Sequence, residues 1–484
     1  MNYLKLLLYI GFAVLSINIS FSQIKLPAII SSEMVLQRNS NVSLWGCSNA
    51  NEEIFIEVSW NNKTITTKAD KNGKWITKVE TNDTRGAQKI IISSKSDKKI
   101  LENVLLGEVW LCSGQSNMGM KLKGNVGQPV FDAKEAVLKA NNNNIRLFQV
   151  EVNATKEPLE DVKKYEPWQK SSSNAASNFS AVAYFFGMQL QEILGVPVGL
   201  IQTSRGGSQI QPWMSYESVN KFEKIDLSTV DVKKDNRKAP TLLFNAMVNP
   251  LIPYTIKGTI WYQGESNRLD PEQYKTLFPE MVKDWRNRWG QGKFPFYFVQ
   301  IAPFKYKDDT IFDDVKNSAF QREAQLQSVK MIPNSEIVIT ADVGDENFIH
   351  PPKKKPVADR LLYHALNKTY GMVSIAHKSP VYSSFDKKNQ GLLLKFDDAE
   401  NGLFAYGELT DFEIAGEDKV FYPAEASLVN RKDVFVKSNK VLKPVAVRYG
   451  WRNYFKGTLF GTNLLPVSSF RTDTWTEAKR TDKK

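Results

Sequence analysis

A serine hydroxyl becomes a useful nucleophile only when a neighbouring base takes its proton, and imidazole is the usual base. The chain has 484 residues and only three histidines, His350, His364 and His377. His364 lies in Leu361-Leu362-Tyr363-His364-Ala365-Leu366, which reads as a packed helix. His377 precedes Lys378-Ser379-Pro380 near the start of a strand-rich region, away from any loop that could hold a reacting group. His350 stands in the loop Asp345-Glu346-Asn347-Phe348-Ile349-His350-Pro351-Pro352, directly after an apolar strand, Ile337 to Ala341. It is therefore the candidate base. Its partner is Ser116, in Gly114-Gln115-Ser116-Asn117-Met118. The strand Val109-Trp110-Leu111-Cys112 delivers the chain to this turn, and a helix opening after it would aim backbone N–H groups at a carbonyl oxygen becoming negative. A turn or helix-cap serine is the bland alternative. The Gly-x-Ser-x-Gly elbow is absent, because Met118 takes its last position.

Strand and helix alternate around these residues. Ser180 to Leu194 has helical spacing, and Val198 to Gln202 is a short strand that ends at Thr203-Ser204-Arg205-Gly206-Gly207. Lys257 to Tyr262 repeats the arrangement and ends at Gln263-Gly264-Glu265-Ser266-Asn267. Tyr274, Leu277, Phe278, Met281, Val282, Trp285 and Trp289 fall on one helical face with Gly290 as the stop, and Pro279 is expected to kink that helix. Phe296 to Ile301 and Glu336 to Thr340 read as strands, with a helix near Phe320 to Val329 between them. This alternation predicts a doubly wound parallel sheet, which binds ligands beyond the carboxyl ends of its strands. From Val42 to Ser94, short strands alternate with Asn, Asp and Gly clusters, the spacing of a small β-sandwich. After Tyr370 short strands return. The expected units are 1–22, a signal peptide; 23–103, a β-sandwich; 104–370, the catalytic α/β domain; and 371–484, a second β-rich domain.

Whole-chain properties narrow the role. Hydrophobic residues make up 42% and charged residues 24%, which suits a folded globular protein. Lys5, the apolar run Leu6 to Ile17 and Ser20-Phe21-Ser22 read as an export signal cut near Gln23. That run is shorter than the ~20 residues of a spanning helix. Nothing later reads as transmembrane, so the mature protein is expected in the periplasm or outside the cell, with no membrane span and no nucleic-acid partner. The formal charge of +12 is spread over scattered Lys and Arg residues and reads as a solvated basic surface. Cys47 and Cys112 read as two buried thiols, though export would permit a disulfide. No His-Glu-x-x-His or Cys-x-x-Cys spacing points to a metal, and none is expected.

The residues resemble a family, the sialate O-acetylesterase group of the SGNH (GDSL-like) hydrolases. The resemblance runs over Gly107 to Met118, Trp261-Tyr262-Gln263-Gly264-Glu265-Ser266-Asn267 and Ile349-His350-Pro351. Near the C-terminus it includes Phe412 to Gly416, Val447-Arg448-Tyr449 and Phe470-Arg471-Thr472-Asp473. It implies a flavodoxin-like α/β/α sheet flanked by β-rich domains. It also implies hydrolysis of O-acetyl esters on sugars, sialic acid first and acetylxylan or another polysaccharide second, without metal or organic cofactor.

Under this resemblance Ser116 attacks the acetyl carbonyl while His350 takes its proton, and the acetyl-enzyme is then hydrolysed by water. The oxyanion would be held by the N–H of Ser116, the N–H of Gly206 or Gly207, and the amide of Gln263. Many relatives carry Asp three residues before the histidine, where this chain has Asn347. Either Asp345 orients His350 or a backbone carbonyl does so and the site is a dyad; Glu265 is a further orienter or a structural acid. Arg205 replaces an aromatic residue before the paired glycines and could meet an anionic sugar. Trp213, Tyr262, Glu265 and Asn267 are candidate sugar contacts. The missing aspartate also leaves open a protein of another class, a glycan-binding module on a decayed esterase core.

Overall fold

The computed structural model describes residues 23–61, 63–228, 230–232, 236–306, 317–475 and 478–481. The expected signal peptide, 1–22, lies outside the described residues. Thirteen strands build the first two thirds of the fold: β1 (Val35–Gln37), β2 (Asn41–Cys47), β3 (Glu53–Val58), β4 (Thr64–Lys68), β5 (Lys74–Glu80), β6 (Gln88–Ser93), β7 (Lys98–Gly114), β8 (Asn142–Val150), β9 (Tyr165–Ser171), β10 (Val198–Ser204), β11 (Gly258–Tyr262), β12 (Phe296–Val299) and β13 (Ser335–Val338). The helices that concern the site are α1 (Ser116–Gly119), α2 (Ala181–Leu194), α3 (Pro271–Trp289), α4 (Ser318–Met331) and α5 (Lys354–His364).

The central sheet has the order β13-β12-β11-β7-β10-β8-β9. All its pairings are parallel except that of the edge strand β9, which runs antiparallel to β8. The sheet is thus mixed at one edge where the sequence predicted a parallel one. Successive side chains of a strand point to opposite faces, and both faces here are covered. Val109, Leu111, Trp261, Phe296 and Phe298 pack with the apolar stripe of α3. Trp110, Cys112, Ile260, Tyr262, Tyr297 and Val299 pack with α2 and α5. That double burial is why these strands read as continuous apolar runs.

The helices begin and end where their side chains dictate. Ser180 Oγ accepts the Ala183 N–H at 3.1 Å and starts α2. Asp270 Oδ1 accepts the Gln273 N–H at 3.1 Å and starts α3, which runs unbroken through Pro279 and stops at Gly290 with φ of 64°.

β7 is 17 residues long and belongs to two structures at once. Its first half pairs antiparallel with β6, which continues to β3 and β4; its second half is the middle of the central sheet. β2 and β5 form a separate antiparallel pair over the same core. Beyond α5, Val381–Lys388, Gly391–Asp397, Asp433–Lys437 and Glu425–Val429 form one antiparallel sheet. A second sheet is built on Ala446–Tyr449, Phe412–Ala415 and Val420–Pro423. Within that region Arg448 meets Asp473 at 2.9 Å, both buried. Cys47 and Cys112 are free thiols; Cys112 is buried and Cys47 half-buried. No helix of the described residues is long and apolar enough to cross a membrane.

Candidate active site

The strand order sets the C-terminal ends of β7, β10 and β11 side by side, and each strand leaves into a glycine-containing loop. Gly114 ends β7 with φ of 142°, and a Cβ there would lie 2.2 Å from the Tyr262 carbonyl oxygen. Only glycine fits. Gln115 N donates to the same carbonyl at 2.9 Å, and α1 opens at Ser116, which is left half-buried at the end of the sheet. Arg205 N donates to Gly114 O at 3.0 Å, tying the loop after β10 to this turn. A Cβ on Gly206 would stand 3.5 Å from Ser116 Cβ, so the glycine loop closes over the serine.

The loop after β13 brings His350 to the same place. Its Nε2 is 2.7 Å from Ser116 Oγ, and its Nδ1 is 2.7 Å from Gln128 Oε1. A carbonyl oxygen can only accept, so Gln128 fixes the ring proton on Nδ1 and leaves the Nε2 lone pair to the serine hydroxyl. Burial, and after it the positive charge of Lys354, lower the His350 pKa from 6.5 to about 4. The ring is therefore neutral at pH 7, the form a general base needs.

Asp345, the expected orienter, is spent on its own loop. Its Oδ1 accepts the N–H groups of Asn347 at 2.8 Å and Phe348 at 3.1 Å, an aspartate turn that shapes the segment before the histidine. Neither it nor a backbone carbonyl takes the place at Nδ1, which belongs to Gln128. That residue sits on the tight turn Asn125-Val126-Gly127-Gln128, closed by reciprocal backbone bonds of 3.0 and 2.9 Å between Asn125 and Gln128. Only the turn-forming composition of Gly124 to Pro129 marks it in the sequence.

A buried network lies under the pair. Asn117 Nδ2 donates to Glu265 Oε1 at 2.6 Å and to the Ile349 carbonyl at 3.1 Å, and Lys354 Nζ donates to Asn117 Oδ1. Asn117 thereby joins the turn of Ser116, the loop after β11 and the residue preceding His350. Burial raises the Glu265 pKa and lowers that of Lys354 to about 7, the second shift being opposed by Glu265 itself. Glu265 meets Asn117 rather than the imidazole of His350, and Asn117 and Lys354 are neighbours of the pair that no motif singles out.

Other expected contacts are struts. Gln263 is fully buried, and its Nε2 donates to Ser208 O at 3.1 Å and Asn267 Oδ1 at 2.8 Å, so both amide protons are committed. Asn267 Oδ1 also accepts the Ile210 N–H at 2.9 Å. Trp213 is buried edge-on to Trp261 with centroids 5.8 Å apart, and its Nε1 donates to Ser208 Oγ at 2.9 Å. Tyr262 is buried in the core on the other face of the sheet. Neither ring can receive a sugar. Arg205 is half-buried, with Nε donating to Asn236 Oδ1 at 3.2 Å, and Gly207 is exposed beside it.

A cleft of about 460 Å³ opens on Ser116, lined among others by Asn125, Glu151, Lys164, Gln202 and Gly206. That volume lies within the usual range of small-ligand sites. Two larger hollows lie elsewhere, one beside α3 and one under β2 and β5, and contain neither Ser116 nor His350. Volume alone does not locate the chemistry. Among the described residues one group of candidate metal ligands gathers, Glu336 with His364 and His377, and it is no part of this cleft. What the cleft can do is deprotonate a serine as it attacks an ester carbonyl.

Comparison with known proteins agrees with that chemistry. Residues 106–350 match the family model described as carbohydrate esterase, sialic acid-specific acetylesterase. The sialate O-acetylesterase of Mus musculus is 27% identical over 491 residues, covering 89% of this chain and 90% of that protein. The sialate O-acetylesterase of Homo sapiens is 26% identical over 472 residues, covering 89% and 88%. The crystal structure of a carbohydrate acetylesterase from Xanthomonas citri superposes with a TM-score of 0.85 at 33% identity, over 93% of this chain and 100% of that one.

Proposed function

The chain belongs to the sialic acid-specific acetylesterase family of carbohydrate esterases, and from that premise we propose that Ser116 and His350 carry its reaction, the hydrolysis of acetyl esters on sugars. The observation that carries this reading is the 2.7 Å contact of His350 Nε2 with the Oγ of Ser116, a residue that lines the cleft. Ser116 attacks the acetyl carbonyl and His350 takes the hydroxyl proton. The same proton then passes to the departing sugar oxygen, and water, deprotonated by His350, releases acetate from the enzyme. Backbone N–H groups of Ser116 and Gly206 are the proposed oxyanion donors, each such donor being typically worth about 10²- to 10³-fold in rate. Gln128 supplies the orienting contact that Asn347 does not, which removes the reason for reading the chain as a binding module alone. The central sheet is read as the flavodoxin-like SGNH sheet, with β-rich units on both sides.

Purified protein is expected to release acetate from an aryl acetate and from an acetylated sugar. Ser116→Ala should lower that rate on the order of 10⁴-fold or more. Undiminished release by the variant would refute the assignment. O-acetylated sialic acid and acetylxylan, assayed side by side, separate the two substrate classes, and the class with the higher kcat/KM identifies the substrate. Export is proposed from Lys5, the apolar run Leu6 to Ile17 and the small residues before Gln23. Mass spectrometry of the protein recovered outside the cytoplasm should show a chain beginning near Gln23, and an intact Met1 terminus there would contradict it.

A further inference from the structure

His364 and His377 take no part in this reaction, yet the fold brings them together. Glu336 is the second residue of β13, His364 the last of α5, and His377 lies in the segment leading to Val381–Lys388. They meet near the end of the sheet where its strands begin. Ser116 lies at the opposite end, because α5 starts at Lys354 beneath the nucleophile and runs back along the sheet. The two imidazoles stand edge to face with centroids 5.6 Å apart. His377 Nε2 is 3.9 Å from Glu336 Oε1, and one ligand atom from each of the three residues lies within 4.8 Å of the others.

Two ring nitrogens in this cluster, His364 Nδ1 and His377 Nε2, are buried with no hydrogen-bond partner among the described residues. His364 is only 2% exposed, and its Nε2 is 3.1 Å from the Ile337 carbonyl oxygen. Since that oxygen only accepts, the ring proton stays on Nε2 and a bare lone pair at Nδ1 points into the cluster. A backbone carbonyl holding the far nitrogen of an imidazole is the usual support of a metal-bound histidine. Leaving two such nitrogens dry and unpaired is unfavourable, because each forgoes the hydrogen bond it would make in water. An ion between them would relieve both.

We propose that Glu336, His364 Nδ1 and His377 Nε2 bind a divalent ion of the zinc class, a structural clip that fastens the chain entering the C-terminal β region to the edge of the central sheet. Two imidazoles and one carboxylate are zinc-type ligands. Bonds of ~2.1 Å in tetrahedral geometry put ligand atoms roughly 3.4 Å apart, so side-chain rotation closes the site without moving the strand. Burial holds both histidines below their ordinary pKa, with His364 near 3, so both are neutral and ligand-ready at pH 7. Lys368 and Lys378 oppose a cation here, but Asp398 takes up Lys378 at 3.3 Å. The ligands come from a strand, a helix end and a linker far apart in sequence. A search for closely spaced His and Cys therefore finds no metal site.

The test uses the full-length mature protein without a histidine tag, stripped with a chelator and titrated with Zn²⁺ by calorimetry, with Tm measured in parallel. One tight equivalent that raises Tm is expected. Glu336→Gln and His377→Ala, both at half-buried positions, should each weaken that equivalent by at least the ~10- to 100-fold typical of losing a supporting partner of a ligand. Acetate release should stay at the level of the parent protein. Absence of a tight equivalent, or one that survives both substitutions or disappears only in His350→Gln, overturns the proposal.

Discussion

A histidine base held by an amide differs from one held by a carboxylate. Gln128 fixes the tautomer of His350 but gives its imidazolium no negative partner, while burial and Lys354 disfavour that cation outright. Under the proposed mechanism the neutral base persists well below pH 6.5, so kcat/KM should hold on acidification and fall only near pH 4. Gln128→Glu puts a carboxylate against Nδ1. An opposite charge at that range stabilises the imidazolium and raises its pKa by about 1–3 units. The acid limb of kcat/KM should move up by that amount, and an unmoved limb would show that residue 128 does not hold the ring. A chain with three histidines makes His350 easy to find. Gln128 is hidden because an amide in a tight turn carries no pattern, whereas a reading guided by charge looks to Asp345. Trp213 and Tyr262 mislead for a related reason, since an aromatic residue beside a catalytic loop has the same letter whether it faces a sugar or the core.

At the scale of elements, α5 opens against its own dipole. Lys354 is its first residue and fully buried, where the positive helix end disfavours a cation. The lysine is kept there by its donation to Asn117 and its attraction to Glu265, and those contacts bind the loops of Ser116 and His350 into one unit. Lys354→Met removes the positive charge that helps lower the His350 pKa. The acid limb should again rise, and kcat should fall as Asn117 loses its donor and the nucleophile turn loosens. A fall in kcat with an unshifted limb would assign Lys354 to structure alone. The helices themselves were legible, because one-sided apolar spacing with a glycine stop, as in Tyr274 to Gly290, leaves little choice. The network beneath them was not, since Lys353-Lys354-Lys355 reads as surface charge until packing buries its middle member.

At the scale of the whole molecule, composition shifts mark three units, 23–103, 104–370 and 371–484, and the seams between them carry shared structure. β7 passes residue 103 as one strand, with a bulge there at which Asn103 has φ of 54°, and the core that contains Ile54, Ile90 and Val104 continues into Leu111, Trp261 and the stripe of α3. At the other seam Ile339 and Ala341 pack with Leu392, Ile414 and Tyr449. There α4 sends the fully buried Arg322 across to donate to the carbonyls of Gly450 at 3.1 Å and Arg452 at 2.6 Å, and to Ser469 Oγ at 2.9 Å. A sequence cannot display such joints, because changes in strand density mark where architecture changes, not where contacts cease. Units that share a strand and a core should unfold together, so calorimetry of the mature chain is expected to show one cooperative transition. Arg322→Met leaves several buried acceptors without a donor, each charged hydrogen bond being worth ~1.5–3 kcal/mol. The loss of roughly 3 kcal/mol or more should lower Tm and detach the C-terminal region as a separate, earlier transition. A parent protein that already melts in two steps, or a variant that melts like the parent, would show that the seam at α4 does not couple the units.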